Sequence, residues 1–217
     1  YLTKSEKGVI IMYYVAIFLV RIAYFLWYDI KFEGKENIPK SKGCIYVSNH
    51  RTYADPPLIV LGVKRKFYFM AKEELFKFKP FGFLIKMLGA FPVSRGKGDE
   101  TAILNSVKTI ENGRNLVIFP EGTRSKDGKL GKGRTGAALI AAKAHTEIVP
   151  VGIIFEGEKL HFRSKITVRY GKPISSEGYF DENGEPILRK LVKLKNQYMD
   201  SIRSLIGQDI QEDKKID

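Results

Sequence analysis

Apolar positions change their spacing several times along this chain, and each change marks an element. From Val9 to Val20 every residue is apolar (VIIMYYVAIFLV); Arg21 interrupts, and IAYFLWY continues to Tyr28. A helix over that stretch rises about 30 Å, enough to cross a hydrocarbon layer. Beyond it, short β-rich runs at 30–33, 44–48, 66–70, 90–93, 115–119, 148–155 and 166–170 alternate with helical patterns. In 101–111, Ala102, Ile103, Val107 and Ile110 share one face, with Gly113 where a helix C-cap favours glycine. Residues 135–143 are Ala-rich, and 186–206 carries Leu188, Leu191, Leu194, Tyr198, Ile202 and Leu205 at spacings of three and four. Such alternation predicts an α/β fold: a mostly parallel or mixed central sheet flanked by helices, with sites at the carboxyl ends of strands.

The N-terminal run is apolar nearly all round, which predicts a membrane-anchoring helical segment over 1–28 and a separate α/β domain over 29–217. Lys4 and Lys7 make a weak n-region and no small-residue cleavage site follows, so a secretory signal fits poorly. Arg21 sits off the centre of that helix and would cost about 2.5–3.5 kcal/mol unless it snorkels. Charge does not orient the segment, because Lys31 and Lys35 match Lys4 and Lys7. Spanning and shallow embedding both remain open.

Charge narrows the partners. The net charge is +13 and the pI about 9.6, which selects nucleic acid, an anionic membrane or a phosphorylated substrate. Window 64–86 holds seven basic and two acidic residues among Phe67, Tyr68, Phe69, Phe76, Phe78, Phe81 and Phe83. That mixture suits a lipid interface, with lysines on phosphate and rings in the acyl region. It also suits stacking on single-stranded nucleic acid, or a core with a solvated basic face. One cysteine, Cys44, excludes a disulfide framework and a Cys-based zinc site, and three histidines alone make no His-rich metal site.

Candidate chemistry sits where apolar strands end. After CIYV comes Ser48-Asn49-His50-Arg51-Thr52-Tyr53-Ala54-Asp55-Pro56. A neutral imidazole can accept a proton, and a carboxylate on its other nitrogen fixes the tautomer. Alternatively Asp55 simply N-caps the helix opened by Pro56. After NLVIF comes Pro120-Glu121-Gly122-Thr123-Arg124-Ser125, a turn offering amides, a hydroxyl and a guanidinium to a phosphate. Between them, GAFPVSR ends a third strand with Arg95, which could share one dianion with Arg124. Residues 128–135 nearly match the phosphate-loop pattern G-x-x-x-x-G-K-[ST], but Arg134 replaces the lysine and no strand leads directly into it.

NHRTYAD, GAFPVSR, FPEGTRS and IVPVGI, in that order, closely resemble the glycerolipid acyltransferase family, and within it the bacterial lysophosphatidate (1-acyl-sn-glycerol-3-phosphate) acyltransferase type. The resemblance spans about 31–175. It implies His50 and Asp55 as the catalytic pair and Arg95 and Arg124 as phosphate ligands. It also implies Glu121, Gly122 and Thr123 as an acceptor-binding or oxyanion loop, and Lys72 near the phosphate or oxyanion. Pro150 matches a proline tied to the acyl-donor side, although Gly152 stands where many members carry a second proline. The resemblance further implies no metal and no bound cofactor, with acyl-CoA or acyl-acyl carrier protein as donor substrate. The expected setting is the cytoplasmic face of the cell inner membrane, on a phospholipid surface, with lysophosphatidic acid as acceptor and no nucleic acid. Within the class, glycerol 3-phosphate or another lysophospholipid is the competing acceptor. Outside it stand a silent peripheral membrane module and an RNA-binding protein.

Overall fold

The computed structural model describes residues 4–40, 42–93, 100–179, 181, 185 and 187–208. Chain order begins with α1 (Lys4–Trp27), β1 (Asp29–Glu33), β2 (Ile45–Ser48), α2 (Asp55–Leu61) and β3 (Phe67–Lys72). It continues with α3 (Lys79–Met87), β4 (Ala90–Val93), α4 (Glu100–Glu111) and β5 (Asn115–Ile118). Last come α5 (Gly136–Lys143), β6 (Ile148–Phe155), β7 (Lys165–Tyr170) and α6 (Leu188–Leu205). The strands form a 7-stranded sheet in the order β1-β7-β6-β2-β5-β3-β4. Every neighbouring pair is parallel except β6 and β7. This is the mostly parallel α/β sheet that the alternation predicts.

Alternation along β2 divides two cores. Ile45 and Val47 face α4, α5 and α6 with Ile140, Leu194 and Ile202, whereas Cys44 and Tyr46 face α2 with Leu58 and Ile59. Burial pushes the Cys44 thiol up to about 11, as expected of an inert core cysteine. β2 is flanked by β5 and β6, so its carboxyl end opens at the point where the chain switches from one side of the sheet to the other. Open α/β sheets bind ligands at such a crevice.

α1 lies against the α2 side of the sheet. Tyr13, Ala16, Ile17, Tyr24 and Tyr28 fall on its inner face, where Tyr13 is 1% exposed and its hydroxyl accepts the Phe67 N–H at 3.0 Å. Arg21 sits on the same face and donates to the Leu61 carbonyl at 2.6 Å. Its charge thus meets the carboxyl end of α2, where the helix dipole favours a cation, instead of snorkelling to water. The outer face is equally apolar and exposed, with Ile11, Val15, Phe18, Leu19, Ile22 and Leu26. Two apolar faces, one docked and one bare, explain a run that is apolar all round. Among the described residues this is the one helix long and apolar enough to cross a membrane.

Candidate active site

The turn after β2 is fastened on three sides before any side-chain chemistry begins. Asn49 behaves like one more strand residue toward β6, donating to the Ile153 carbonyl at 2.9 Å and accepting the Ile153 N–H at 2.8 Å. The His50 N–H donates to Glu121 Oε1 at 2.9 Å, and the His50 carbonyl accepts the Ser125 N–H at 2.7 Å. Arg51 lies over the Phe155 ring and donates to the Phe155 and Gly157 carbonyls at 3.0 and 2.6 Å. The two sequence motifs, 71 residues apart, therefore meet through the backbone of the histidine.

His50 Nδ1 lies 2.8 Å from Asp55 Oδ2. That carboxylate is fully buried, and the same oxygen accepts the Arg51 and Thr52 N–H groups at 2.6 and 2.7 Å. Its Oδ1 accepts the Thr52 hydroxyl at 2.8 Å. Asp55 opens α2 but gives the helix no side-chain cap; its oxygens serve the turn and the imidazole instead. Capping is thus set aside in favour of orientation. With Nδ1–H directed at a carboxylate, Nε2 is the nitrogen left to accept a proton. The imidazole is 16% exposed and stacks on Phe119, with centroids 4.0 Å apart and planes at 18°.

Glu121 is 6% exposed and both its oxygens are occupied. Oε1 takes the His50 N–H, and Oε2 takes the Gly131 N–H at 2.8 Å. Burial pushes its carboxyl above the ordinary range, and the Gly131 and His50 amides oppose that shift. The carboxylate is a strut between the histidine and the loop at 126–134. Gly122 adopts φ +70, and its N–H closes the turn onto the Phe119 carbonyl at 3.0 Å. Thr123 is exposed, and its N–H has no acceptor among the described residues.

Arg124 is also exposed, with its guanidinium 3.8 Å from the Tyr53 ring centroid and one nitrogen donating to the Tyr53 hydroxyl at 3.1 Å. The cation is parked at the mouth of the His50 turn by a residue of that turn. Lys72 ends β3 on the same edge of the sheet, exposed, 3.5 Å from Glu74 Oε1. Arg95 lies outside the described residues. Pro150 stays apart: it pairs with Val47 inside the sheet and lines a hollow of about 520 Å³ with Lys172, Gln197, Ser201 and Ser204. That hollow lies on the α6 side, whereas His50 leans toward α2. No metal-ligating cluster occurs among the described residues.

Sequence reasoning missed Asn49, Arg51, Tyr53 and Phe119 as parts of this site. Three of them lie inside the motif that was already singled out. What hid their roles is that each partner is far along the chain: Ile153 for Asn49, Phe155 for Arg51, Arg124 for Tyr53.

A family model described as Acyltransferase matches residues 29–154. A 1-acyl-sn-glycerol-3-phosphate acyltransferase of Streptococcus pneumoniae is 34% identical over 163 residues, covering 72% of this chain and 60% of that protein. The enzyme of the same name from Bacillus subtilis is 29% identical over 185 residues, 82% of this chain and 90% of that one. A chloroplastic relative from Arabidopsis thaliana is 30% identical over 162 residues, and this chain spans only 45% of its length. Among solved structures, the 1-acyl-sn-glycerophosphate (LPA) acyltransferase PlsC from Thermotoga maritima superposes with a TM-score of 0.72 at 25% identity, covering 95% of this chain and 84% of that one. Since the family model takes in more than half of the chain, from β1 nearly to the end of β6, the protein belongs to the Acyltransferase family.

Proposed function

We propose that the protein moves a fatty acyl group from a soluble acyl thioester to the sn-2 hydroxyl of lysophosphatidate, forming phosphatidate. The observation that carries this reading is His50 Nδ1 held 2.8 Å from a fully buried Asp55, which leaves Nε2 to accept a proton. The names of the relatives support the acceptor.

The chemistry then runs as follows. Arg124, with Arg95 and Lys72, grips the acceptor phosphate; Arg124 has donors to spare beyond the one on Tyr53. The acceptor hydroxyl gives its proton to His50 Nε2 as its oxygen attacks the thioester carbonyl carbon. General-base help of this kind contributes about 10²–10⁴-fold. The resulting oxyanion is met by the Thr123 amide, and one such donor is worth about 3–4 kcal/mol. Collapse breaks the C–S bond, and the thiolate takes the proton back from His50. No acyl-enzyme forms, and no metal or bound cofactor enters the step. The donor is an acyl ester of coenzyme A or acyl carrier protein. A donor-side role for Pro150 is indirect, through the course of β6 toward Ile153.

The outer face of α1 and the exposed Phe78, Phe81 and Phe83 around α3 form the membrane contact, on the cytoplasmic face of the inner membrane. Two attachments of different kinds are expected there, one hydrophobic and one electrostatic. Lys66 contributes little to the second, because it already lies over the Tyr13 and Tyr68 rings.

Purified protein offered lysophosphatidate and glycerol 3-phosphate against both donor types should acylate lysophosphatidate. Acylation of glycerol 3-phosphate alone would overturn the acceptor assignment. Arg124→Ala should raise the lysophosphatidate KM by roughly tenfold or more, the loss of one charge-assisted bond of about 1.5–3 kcal/mol. Donor KM should hold; a rise confined to the donor would move Arg124 to the other substrate. Glu121→Gln retains one acceptor oxygen for two N–H groups, so either His50 or Gly131 faces an amide NH2. An unmet buried N–H costs about 1–3 kcal/mol. The expected outcome in steady-state kinetics is a kcat lowered about tenfold or more with acceptor KM nearly unchanged. A large rise in acceptor KM would mean that Glu121 touches the acceptor.

A further inference from the structure

The loop at 126–134 (KDGKLGKGR) resembles a phosphate loop in sequence but is built by packing. Gly128, at φ +76, lies against the Arg51 guanidinium, and a side chain there would meet its nitrogen at 3.2 Å. Gly131 abuts Glu121 Oε2, where a Cβ would come within 2.9 Å. The glycines therefore admit neighbouring side chains, and no backbone cradle remains for a nucleotide.

The same loop is held at both flanks and along its length. Leu130 N–H donates to Gln208 Oε1 at 2.9 Å, and Gln208 Nε2 donates to the Gly128 carbonyl at 2.8 Å. Arg134 N–H donates to the Pro120 carbonyl at 2.8 Å, and the Tyr198 hydroxyl donates to the Arg134 carbonyl at 2.8 Å. The loop's one acid, Asp127, accepts from Ser125 Oγ and the Lys129 N–H at 3.0 and 3.1 Å. Lys126, Lys129 and Lys132 are exposed, and none forms an ion pair among the described residues. A held arch thus presents three ammonium groups beside the His50 turn, to which Glu121 and Ser125 bind it.

Its side of the sheet matters. Leu130 packs with the core under α4, α5 and α6, and Gln208 follows α6. The bare apolar face belongs to α1, against the opposite core. His50 therefore has an apolar face on its α2 side and an exposed basic loop across its turn, meeting it at Arg51. A lipid acceptor suits the first. A soluble acyl donor suits the second, because its carrier bears phosphate on the pantetheine arm.

We propose that Lys126, Lys129 and Lys132 form an anion-binding rim for the phosphate-bearing carrier of the acyl thioester. The proposal rests on acyl transfer from such a thioester. Because ion pairs of exposed lysines are screened, donor binding through this rim should weaken with salt.

The test is Lys126→Ala/Lys129→Ala/Lys132→Ala in the full chain, assayed with acyl-CoA, acyl-acyl carrier protein and the acyl N-acetylcysteamine thioester, which carries no phosphate. Expected is a donor KM raised about tenfold or more for the phosphate-bearing donors and unchanged for the neutral one, with lysophosphatidate KM unaffected. The salt dependence of donor KM should flatten in the variant. A loss for acyl-CoA alone assigns the rim to nucleotide phosphates, whereas a loss for the carrier protein alone points to that protein's anionic surface and overturns the phosphate. Unchanged KM for both, or an equal loss with the neutral thioester, overturns the rim. Wild-type protein that transfers from none of the three donors instead overturns the parent reading.

Discussion

Replacing His50 with alanine should lower kcat by at least about 10²-fold while leaving the protein folded, since the ring is half-buried at the crevice and its backbone bonds persist. Asp55→Asn separates charge from geometry. An asparagine oxygen in place of Oδ2 still accepts from His50 Nδ1 and from the Arg51 and Thr52 amides, so the turn survives. What is lost is the negative charge beside the imidazolium that forms in the transition state. The expected loss is again about 10²-fold or more, with a nearly wild-type melting curve. Steady-state turnover of both folded variants is the check. Near-normal kcat for His50→Ala would end the general-base mechanism.

Deleting residues 1–28 should destabilise the α/β body, against the sequence expectation of an anchor separable from a domain at 29–217. The inner face of α1 buries Tyr13 and packs Ile17, Tyr24 and Tyr28 onto the α2-side core. Burying one large apolar side chain contributes about 1.5–3 kcal/mol. Losing Tyr13 and the three partly buried side chains takes a large share of the stability of a typical domain, about 5–15 kcal/mol. The deletion also removes the acceptor of the Phe67 N–H and the cation on the Leu61 carbonyl. Thermal unfolding in detergent should show a melting temperature lowered by at least about 10 °C, or no cooperative transition. An unchanged transition would support the separable anchor.

Strand and helix positions followed closely from period and composition. β6 begins and ends where the apolar run does, at Ile148–Phe155, and α6 spans Leu188–Leu205 within the expected 186–206. These segments carry their own signal, because one face must be apolar. Helix α3 lies inside the basic-aromatic window and shows no clear period there, since Phe78, Phe81 and Phe83 are exposed and obscure any buried stripe. The His50–Asp55 pair was readable because five residues of one turn separate its members. The strut of Glu121 and the clasp of Arg21 on Leu61 were not. Each joins segments that only the folded sheet brings together, and no local pattern specifies them. Glu121 shows the difference: its motif marks a carboxylate after β5, and only the fold brings the His50 and Gly131 N–H groups to it.

The central position of β2 has a consequence for synthesis. Ile45 pairs with Leu116 of β5 and Ile148 of β6, which leave the ribosome about 70 and about 100 residues later. At about 5–20 residues per second, roughly 5–20 s separate the emergence of β2 from that of β6. The inner face of α1 rests on a core that includes Val149 and Val151 of β6 and Val168 of the still later β7. Until they arrive, both faces of α1 are apolar and without a seat. With the membrane contact proposed above, a lipid surface is the cover expected in that interval, and insertion of α1 is expected to precede closure of the sheet. Cell-free translation without lipid or chaperone is expected to give more aggregated chain than translation onto liposomes, as sedimentation of the two products would read.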